Sequence, residues 1–320
     1  MTEYNIITWN VNGIRSRIFD NKASTTCKKM SRVLQDDSSL SMLLKINPID
    51  FICFQETRCS VENSKCLIIP NYISIFNESK EQNARNANRY SGTAVFIKKN
   101  IIINKILYQI PNQTEYIDTE GRIIIIYFGE NNENVLINVY TPNSGTNFEK
   151  RLKFQNAMII FLACENLKRN VIYVGDLNVA YLSQDCHFKY IMSSTYKKIN
   201  TPIVGMLPEE IQYITDLSLI QLKDTFLDIE DNYINYKKDL PNDYKGFTWW
   251  DPIMKKIYNN ETKTNISIFR YKKLGWRLDY IFVSNNINVL ESKVYKQIGE
   301  FTEPNASDHA PLYSKIKINK

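Results

Sequence analysis

The chain has 320 residues, of which 43% are hydrophobic, and its formal net charge is +6 at pH 7. This composition excludes a disordered protein, because the chain can bury a substantial core as one large domain or two small ones. The moderately basic charge permits a nucleic-acid partner but does not require one.

The cysteines and the apolar segments exclude further classes. The six cysteines form no Cys-x-x-Cys pair and have no histidine at ligand spacing, which argues against a zinc cluster. The first residues lack the charged and apolar regions of a secretory signal, and the apolar run at 157–164 is too short to span a membrane. We therefore expect a soluble protein in a reducing intracellular compartment (nucleus, cytoplasm or virion), without a membrane partner.

Short apolar segments that are rich in β-branched residues and bounded by polar residues predict buried β-strands. In chain order they cover residues 4–9, 50–54, 93–97, 122–128, 134–140, 170–174, 278–283 and 312–318. Apolar residues at helical spacing predict helices over 38–46, 147–168 and 208–221, with Asn147 as the N-cap of the second. Polar inserts at 17–38 and 258–267 predict surface loops. Strands outnumber helices, so we expect an α/β protein whose sheets are covered by helices.

Polar side chains follow many of these strands at the carboxyl end. They are Asn10, Asn12, Glu56, Tyr140, Asn143, Asp176 and Asn178. Any one of these motifs could be a simple turn. Together they favour a common site, because the carboxyl ends of strands in such sheets meet in one crevice where ligands bind.

One of the two histidines, His309, stands beside Asp308 at the start of the last predicted strand. A single histidine is more often a surface or core residue than a catalyst, so its neighbours decide the interpretation. Glu56, Asp308 and Asn12 offer hard oxygen ligands, which suit Mg²⁺ better than zinc. The sequence therefore predicts a magnesium site with an imidazole beside it.

Three further residues suggest the chemistry. Asp279 could orient the imidazole of His309, while Asp176 and Asn178, two positions apart, could position a water molecule or a developing oxyanion. Neither a phosphate-binding P-loop nor a Gly-x-Ser-x-Gly elbow is present. Such a set favours metal-assisted hydrolysis of a phosphate ester, because the metal neutralises the phosphate while polar groups fix the attacking water.

Motifs spread along the whole chain carry a family resemblance. They are TWNVNGIR (8–15), FQETR (54–58), RYSGTAVF (89–96), EGRIIIIYF (120–128), VYTPNSG (139–145), VGDLNVA (174–180), GWRLDYIFVS (275–284) and SDHAP (307–311). In this order they resemble the exonuclease III class of apurinic/apyrimidinic (AP) endonucleases, within the DNase I-like endonuclease/exonuclease/phosphatase superfamily. The resemblance implies a single domain over residues 1–320. The implied fold is a four-layered α/β sandwich of two packed mixed β-sheets flanked by helices.

The resemblance also implies a reaction and its residues. A monomer would use Mg²⁺, with Mn²⁺ as the alternative ion, to cut double-stranded DNA 5′ to an abasic site, leaving a 3′-hydroxyl and a 5′-deoxyribose phosphate. The implied metal ligands are Glu56, Asp308 and Asn12. The implied catalytic residues are Asp176 for the water, Asn178 and His309 for the phosphate, Asp279 holding His309, and Tyr140 and Asn10 completing the phosphate clamp. The implied DNA contacts are Arg15, Tyr90, Arg122 and Asn143, with Trp249, Trp276 and Leu278 around the extruded sugar.

The sequence departs from the family at three places. Animal members carry an arginine that enters the DNA directly after the PNSG motif, whereas Thr146 stands here, so we expect some 3′-5′ exonuclease or 3′-phosphodiesterase activity as well. Asn12 replaces an aspartate of the animal members, which puts the strength of the secondary metal site in doubt. The segment between Arg17 and Ser39 is longer than usual, and we favour a solvated loop over a DNA contact.

Two other functions stay open. A superfamily relative could act on another phosphoester, such as a 5′ adduct on DNA, a lipid headgroup or an inositol phosphate. The GWRLDY motif argues against that relative, and cleavage of a plain abasic duplex would separate the two activities. The second alternative, a non-catalytic DNA-binding module, would have lost site residues that are all present here.

Overall fold

The computed structural model describes residues 1–14, 32–33, 39–80, 90–186, 203–237, 246–250, 254–259, 264–269, 275–295 and 307–319. In chain order, the strands of these segments are β1 (Thr2–Asn10), β2 (Arg32–Val33), β3 (Phe51–Gln55), β4 (Leu67–Ile68), β5 (Tyr72–Asn77), β6 (Thr93–Lys98), β7 (Ile103–Leu107), β8 (Ile123–Phe128), β9 (Asn134–Tyr140), β10 (Asn170–Asp176), β11 (Leu222–Asp224), β12 (Trp249–Trp250), β13 (Met254–Asn259), β14 (Thr264–Phe269), β15 (Gly275–Trp276), β16 (Asp279–Ser284), β17 (Asn288–Val294) and β18 (Leu312–Ile318). The helices are α1 (Ser39–Ile46), α2 (Val61–Ser64), α3 (Phe148–Asn166), α4 (Pro208–Leu219) and α5 (Glu230–Lys237), and a 3₁₀ turn covers Ser183–Asp185.

Two six-stranded sheets form the centre of the molecule. Sheet one has the order β17-β18-β1-β3-β6-β5, and sheet two has the order β11-β16-β10-β9-β8-β7. In each sheet one central pair is parallel, β1 with β3 and β9 with β10, and the other ladders are antiparallel. Both sheets are therefore mixed.

Three apolar layers hold these sheets and helices together. The inner layer lies between the two sheets and includes Phe51 of β3 and Phe128 of β8, whose rings are 4.9 Å apart. The outer face of sheet one packs against α1 through Leu43, and the outer face of sheet two packs against α3 through Phe154 and Met158. Two mixed sheets flanked by helices confirm the expected fold class.

The structure confirms the predicted strands and helices, but the edge strands of both sheets were missed. All eight predicted strands are present, and they are the eight interior strands of the two sheets. The four edge strands β5, β7, β11 and β17 were not predicted. Edge strands are partly exposed and carry polar residues, so hydrophobic runs do not mark them. The helices predicted over 38–46, 147–168 and 208–221 correspond to α1, α3 and α4.

The prediction of a surface loop at residues 258–267 is wrong for 258–259 and 264–267, whereas 260–263 lie outside the described residues. β13 and β14 pair there as an antiparallel hairpin, with Tyr258 opposite Asn265. Backbone pairing across a hairpin needs no apolar side chains, so a segment rich in Asn, Lys and Thr can form strands without a hydrophobic pattern. The loop predicted at 17–38 lies mostly outside the described residues, apart from Arg32–Val33, which pairs in parallel with β4.

The state of the cysteines and the length of the helices relate to the expected cellular compartment. Cys53, Cys59, Cys164 and Cys186 are free thiols, whereas Cys66 is disulfide-bonded. In the part of the chain that the structure describes, no helix is both long enough and apolar enough to cross a membrane.

Candidate active site

The candidate site lies where strands of both sheets end. Because β1 and β3 are parallel, Asn10 at the end of β1 lies beside the end of β3, which Glu56 follows directly. In sheet two, Asp176 at the end of β10 pairs with Tyr140 of β9 and with Asp279 of β16. Antiparallel neighbours contribute their amino ends to the same edge, so residues distant in sequence meet there.

Asn10 connects the two sheets at this edge. Its Nδ2 donates to Oε1 of Glu56 at 3.1 Å and to Oδ2 of Asp176 at 2.9 Å. Its Oδ1 accepts a hydrogen bond from the backbone N–H of Asn12 at 3.0 Å. The side chain is fully buried, so this one amide holds a carboxylate from each sheet in a fixed relation.

His309 and Asp279 form a buried pair beside Asp176. The distance from Nδ1 of His309 to Oδ2 of Asp279 is 2.8 Å, and Nε2 of His309 lies 3.9 Å from Oδ2 of Asp176. The carbonyl of His309 accepts a hydrogen bond from Nε1 of Trp9 at 2.9 Å. Asp279 thus holds the imidazole and Trp9 holds the backbone of His309, with Nε2 directed toward the region of Asp176.

The charges around His309 favour a protonated imidazole, and those around Asp176 raise the pKa of its carboxyl group. Burial lowers the pKa of His309, but Asp279 and then Asp176 outweigh burial and raise the pKa to about 10. Burial and the neighbouring charge of Asp279 raise the pKa of Asp176 to about 7. Near neutral pH, His309 is therefore protonated while Asp176 can accept or release a proton.

Glu56 is held in an unusual backbone conformation. Its φ is 48°, in the left-handed region that residues other than glycine seldom adopt, and such conformations concentrate at functional sites. Its Oε2 accepts hydrogen bonds from Nη2 and Nε of Arg58 at 2.5 and 3.1 Å. Burial acts to raise the pKa of Glu56, but Arg58 together with Asn10 and Tyr140 lowers it below its ordinary value. Glu56 is therefore ionised near neutral pH.

Asp308 is the second carboxylate predicted to bind metal. Its Oδ1 accepts from Nδ2 of Asn12 at 3.0 Å, and its Oδ2 accepts from Nε1 of Trp249 at 3.0 Å. Burial acts to raise the pKa of Asp308, but His309 and these two donors lower it overall. This carboxylate is also ionised near neutral pH.

Two groups of side chains at this edge offer ligand types that suit a divalent cation. The first is the predicted set Glu56, Asp308 and Asn12, which offers two ionised carboxylates and an amide oxygen. The second is Asp176, Asp279 and His309, whose potential ligand atoms all lie within 4.8 Å of one another, although only the two carboxylates can bind a cation while His309 is protonated. Oδ1 of Asp279 is buried without a hydrogen-bond partner, and a cation could satisfy it. The predominance of hard oxygen donors matches Mg²⁺ or Mn²⁺.

Asn178 follows Asp176 on a tight turn. The backbone N–H of Asn178 donates to Oδ1 of Asp176 at 2.8 Å, and its Nδ2 donates to the carbonyl of Thr141 at 2.9 Å. The preceding Gly175 has φ of +141°, and a Cβ there would lie 1.9 Å from the carbonyl oxygen of Val139. Glycine is required because β9 and β10 approach so closely before the turn.

Arg122, predicted to contact DNA, is buried in this structure and bonded within the protein. Its guanidinium pairs with Glu120 and donates to the carbonyl of Tyr140 at 3.0 Å and to Oη of Tyr90 at 3.1 Å. It also lies 4.5 Å from the ring centroid of Tyr140. Arg122 therefore supports two tyrosines of the site. Tyr90 is 41% exposed and Asn143 is exposed, whereas Arg15 lies outside the described residues.

The three residues predicted to line a sugar pocket lie together next to Asp308. The rings of Trp249 and Trp276 meet edge to face with centroids 6.2 Å apart. Trp276 and Leu278 are buried in a small apolar cluster with Ala180, and Trp249 packs against its edge. This cluster forms an apolar wall beside the polar groups of the site.

Several residues near the site were not predicted from the sequence. Arg58 stood within the FQETR motif and could have been recognised as a partner for Glu56. Arg151 and Glu210 are fully buried behind the site, although helices α3 and α4 show nothing unusual at these positions. Their contacts span loops distant in sequence, so local patterns carry no signal for them.

The sequence matches the Endonuclease/Exonuclease/phosphatase family over residues 7–309. The chain therefore belongs to this family, as its motifs led us to expect. It is 27% identical to an exodeoxyribonuclease of Bacillus subtilis (strain 168), a match that covers 98% of this chain and 99% of that protein.

Two further relatives are similar along the chain. A DNA-(apurinic or apyrimidinic site) endonuclease of Plasmodium berghei (strain Anka) is 26% identical over 98% of this chain, which spans 63% of that protein's length. Among solved structures, an AP endonuclease from Leishmania major aligns with a TM-score of 0.67 and 21% identity, covering 99% of this chain and 88% of the other. This structural likeness supports the two-sheet fold.

Proposed function

We propose that this protein is a DNA-repair AP endonuclease that hydrolyses the phosphodiester 5′ to an abasic site and leaves a 3′-hydroxyl and a 5′-deoxyribose phosphate. The observation that supports this most is the buried polar network of Asn10, Glu56, Asp176, Asp279 and His309 beside an apolar wall. The relatives named as AP endonuclease and exodeoxyribonuclease support the same reaction class. Some 3′-5′ exonuclease or 3′-phosphodiesterase activity belongs to the proposal.

Asp176 would act on the attacking water. Its raised pKa of about 7 lies in the range in which a carboxylate accepts a proton efficiently at neutral pH. The amide of Asn10 donates to Oδ2 of Asp176 and keeps that oxygen at the meeting point of the sheets. Asn178, two residues later, would contact the scissile phosphate.

His309 would bind and polarise the phosphate as a cation. Asp279 accepts from the Nδ1 side of the ring and favours the protonated imidazolium, so that Nε2–H is available to a phosphate oxygen. A preorganised donor of this kind stabilises charge that develops in the transition state. Tyr140, which bonds Glu56 and lies under Arg122, would complete the phosphate clamp with Asn10.

Glu56, Asp308 and Asn12 would hold Mg²⁺, with Mn²⁺ as the alternative ion, which when bound supplies positive charge against the phosphate oxygens. The lowered pKa values of Glu56 and Asp308 keep both carboxylates ionised for this purpose. Near neutral pH, no proton has to leave these carboxylates before the ion binds.

DNA would lie across the same edge of the sheets. Trp249, Trp276 and Leu278 would accept the extruded abasic sugar, since taking the lesion out of the helix exposes the backbone beside it. Tyr90, Asn143 and Arg15 would contact the strand, whereas the buried Arg122 would act only through the tyrosines that it supports. Phosphate contacts of this kind position the protein without reading sequence.

Incision of a labelled duplex with one tetrahydrofuran abasic analogue tests the proposal. We expect cleavage 5′ to the lesion with Mg²⁺, no cleavage in EDTA, and a loss of about 10³-fold in rate for His309→Asn, the scale expected when a key electrostatic group is removed. Glu149→Gln, which changes an exposed carboxylate on α3, is the matched control and should retain the wild-type rate. A folded wild type that cuts no abasic duplex with either ion, yet releases a 5′ adduct or hydrolyses another phosphoester, would replace this function with the superfamily alternative.

A further inference from the structure

Two fully buried charged side chains lie behind the site and have no part in the chemistry proposed above. Arg151 belongs to the first turns of α3, and Glu210 belongs to the first turn of α4. Neither exposes any surface to solvent. Burying a charge is costly unless hydrogen bonds satisfy it, so the partners of these side chains indicate what they stabilise.

Arg151 holds two loops of the site at once. Its Nη1 donates to the carbonyl of Pro142 at 2.8 Å and lies 3.4 Å from the carbonyl of Asn178. Pro142 follows β9 and Tyr140, whereas Asn178 follows β10 and Asp176. With the Gln155 amide turned to accept, Gln155 also bonds Nε of Arg151 at 3.1 Å and fixes the guanidinium from the helix side.

Glu210 connects the loop that contains Ser144 with the turn at Gly205 and Leu207. Its Oε1 accepts from the hydroxyl of Ser144, and its Oε2 accepts from the backbone N–H groups of Gly205 and Leu207 at 2.8 and 2.9 Å. Gly205 lies against the apolar wall, because a Cβ at this position would come within 3.0 Å of Cζ3 of Trp276. Glu210 therefore fixes the loop that follows Asn143 relative to the pocket wall.

A backbone hydrogen bond joins the loop that Arg151 holds to the turn that Glu210 holds. The N–H of Ala180 donates to the carbonyl of Gly205 at 2.8 Å, so the loop of Asn178 is tied directly to the turn that Glu210 holds. Arg151 and Glu210 thus hold opposite ends of one connected set of loops. That set carries proposed phosphate contacts on one side and the pocket wall on the other.

We propose that Arg151 and Glu210 are positioning residues that hold the phosphate-binding loops and the sugar pocket at one fixed separation. The inference rests on the proposed function and deepens it, since both act on catalysis through Asn178, Asn143 and Trp276 rather than by touching DNA. A nucleophile and a phosphate must be aligned closely, and a displacement of about 1 Å can lower a rate by ~10²-fold.

The test compares Arg151→Lys with Tyr213→Phe. A lysine keeps the charge but cannot span two carbonyls and Gln155 together. Tyr213→Phe is the matched control, because it removes a buried hydrogen bond of 2.7 Å to Tyr173 behind the same sheet and alters no loop carbonyl. Ser144→Ala, which removes one donor to Glu210, is the milder variant if Arg151→Lys does not fold.

Single-turnover incision of the tetrahydrofuran duplex is measured at a temperature where every variant is folded. We expect Arg151→Lys to slow the chemical step by about 10-fold or more while DNA affinity changes by less than about 3-fold, because alignment and not binding is lost. Tyr213→Phe should stay within about 2-fold of wild type in both quantities. Equal effects of the two variants on the chemical step would overturn the inference and leave Arg151 with a structural role alone.

Amide hydrogen exchange gives a second readout that needs no activity. Arg151→Lys should raise exchange in residues 141–146 and 177–180 together, whereas Tyr213→Phe should leave both segments protected. A wild type inactive on abasic DNA would overturn the proposed function, and the exchange result would then decide the positioning role by itself. Unchanged exchange in Arg151→Lys overturns that role.

Discussion

At the scale of single residues, the site is built from groups that are individually unfavourable to bury. Asp176 is almost fully buried and has its pKa raised, and Asp279 carries a buried oxygen without a hydrogen-bond partner. Glu56 adopts a backbone conformation that disfavours side chains with a Cβ. Such groups persist where they serve function, and their removal is expected to change stability in a direction that depends on pH.

In metal-free protein, Asp176→Asn is expected to gain stability relative to wild type as the pH rises. The folded-state pKa of Asp176 is raised from an ordinary 3.8 to about 7, so the favourable contribution of its protonated form is complete below pH 3.8 and is lost by about pH 7. The free-energy difference of unfolding between variant and wild type should therefore grow between these values and level off above them.

Urea unfolding in EDTA from pH 4 to 9 measures this difference. Asp231→Asn, at an exposed position near the start of α5, serves as the control and should run parallel to wild type. Parallel curves for Asp176→Asn as well would mean that this carboxylate has an ordinary pKa.

A second prediction at this scale concerns Arg58. Its guanidinium forms an ion pair with Oε2 of Glu56. A cation that binds Glu56 must therefore displace the guanidinium or share the carboxylate with it. Because the arginine is 43% exposed, the ion pair contributes at most about 1 kcal/mol, and Arg58→Met should tighten Mg²⁺ binding by about two- to five-fold. Isothermal titration calorimetry without DNA measures this, with Lys98→Met, which loses a pair with Asp50, as the control. Weaker binding in Arg58→Met would instead make the arginine a support for Glu56.

At the scale of elements, interior and edge strands differ in how visible they are in the sequence. β8 and β9 read as IIIIYF and NVLINVY, and nearly every residue in them is buried, so their runs predict strands directly. β7 and β17 lie at sheet edges, are mostly only partly buried, and mix polar or charged residues with apolar ones. They form strands because they pair with β8 and β18, respectively. Their own residues do not indicate that pairing.

The start of α3 offers a prediction at this scale, because it places Arg151 under the site. The predicted cap is present, and Oδ1 of Asn147 accepts from the backbone N–H of Lys150 at 2.9 Å. Asn147→Ala should lower the free energy of unfolding by about 1 kcal/mol, whereas Asn147→Asp should stay close to wild type. Thermal unfolding distinguishes the two, and equal losses would assign the effect to something other than the capping hydrogen bond.

At the scale of the whole molecule, a buried polar contact sets how the two sheets face each other. Asn138 of β9 donates to the carbonyls of Phe54 and Ala94 in sheet one, both at 3.1 Å, and accepts from Nε2 of Gln55 at 2.7 Å. Apolar layers can slide, but a fully buried amide bonded to three groups specifies one arrangement. Gln55 immediately precedes Glu56, so this contact also sets the relation between the two halves of the site.

Asn138→Ala is therefore expected to lower both stability and activity. It removes the three buried hydrogen bonds that Asn138 makes with Phe54, Ala94 and Gln55, which should lower the free energy of unfolding by about 2–4 kcal/mol. Leu136→Ala removes an apolar side chain from the same strand and inner layer, and should lower the free energy of unfolding by about 2–5 kcal/mol. At a temperature where both variants are folded, incision should fall further in Asn138→Ala. Equal activities would show that the apolar layer alone fixes the sheets.

The sequence by itself determined the interior strands, the three main helices, the family and the residues that gather at the strand ends. These are local or motif-based properties, since short stretches of consecutive residues are enough to recognise a buried strand or a motif. Only the tertiary structure decided that Asn10 bridges Glu56 and Asp176, that Arg122 is buried under two tyrosines, and that Arg151 and Glu210 lie behind the loops. Each of these depends on distances between segments far apart along the chain. Such distances follow from how two sheets pack, and no run of neighbouring residues records them.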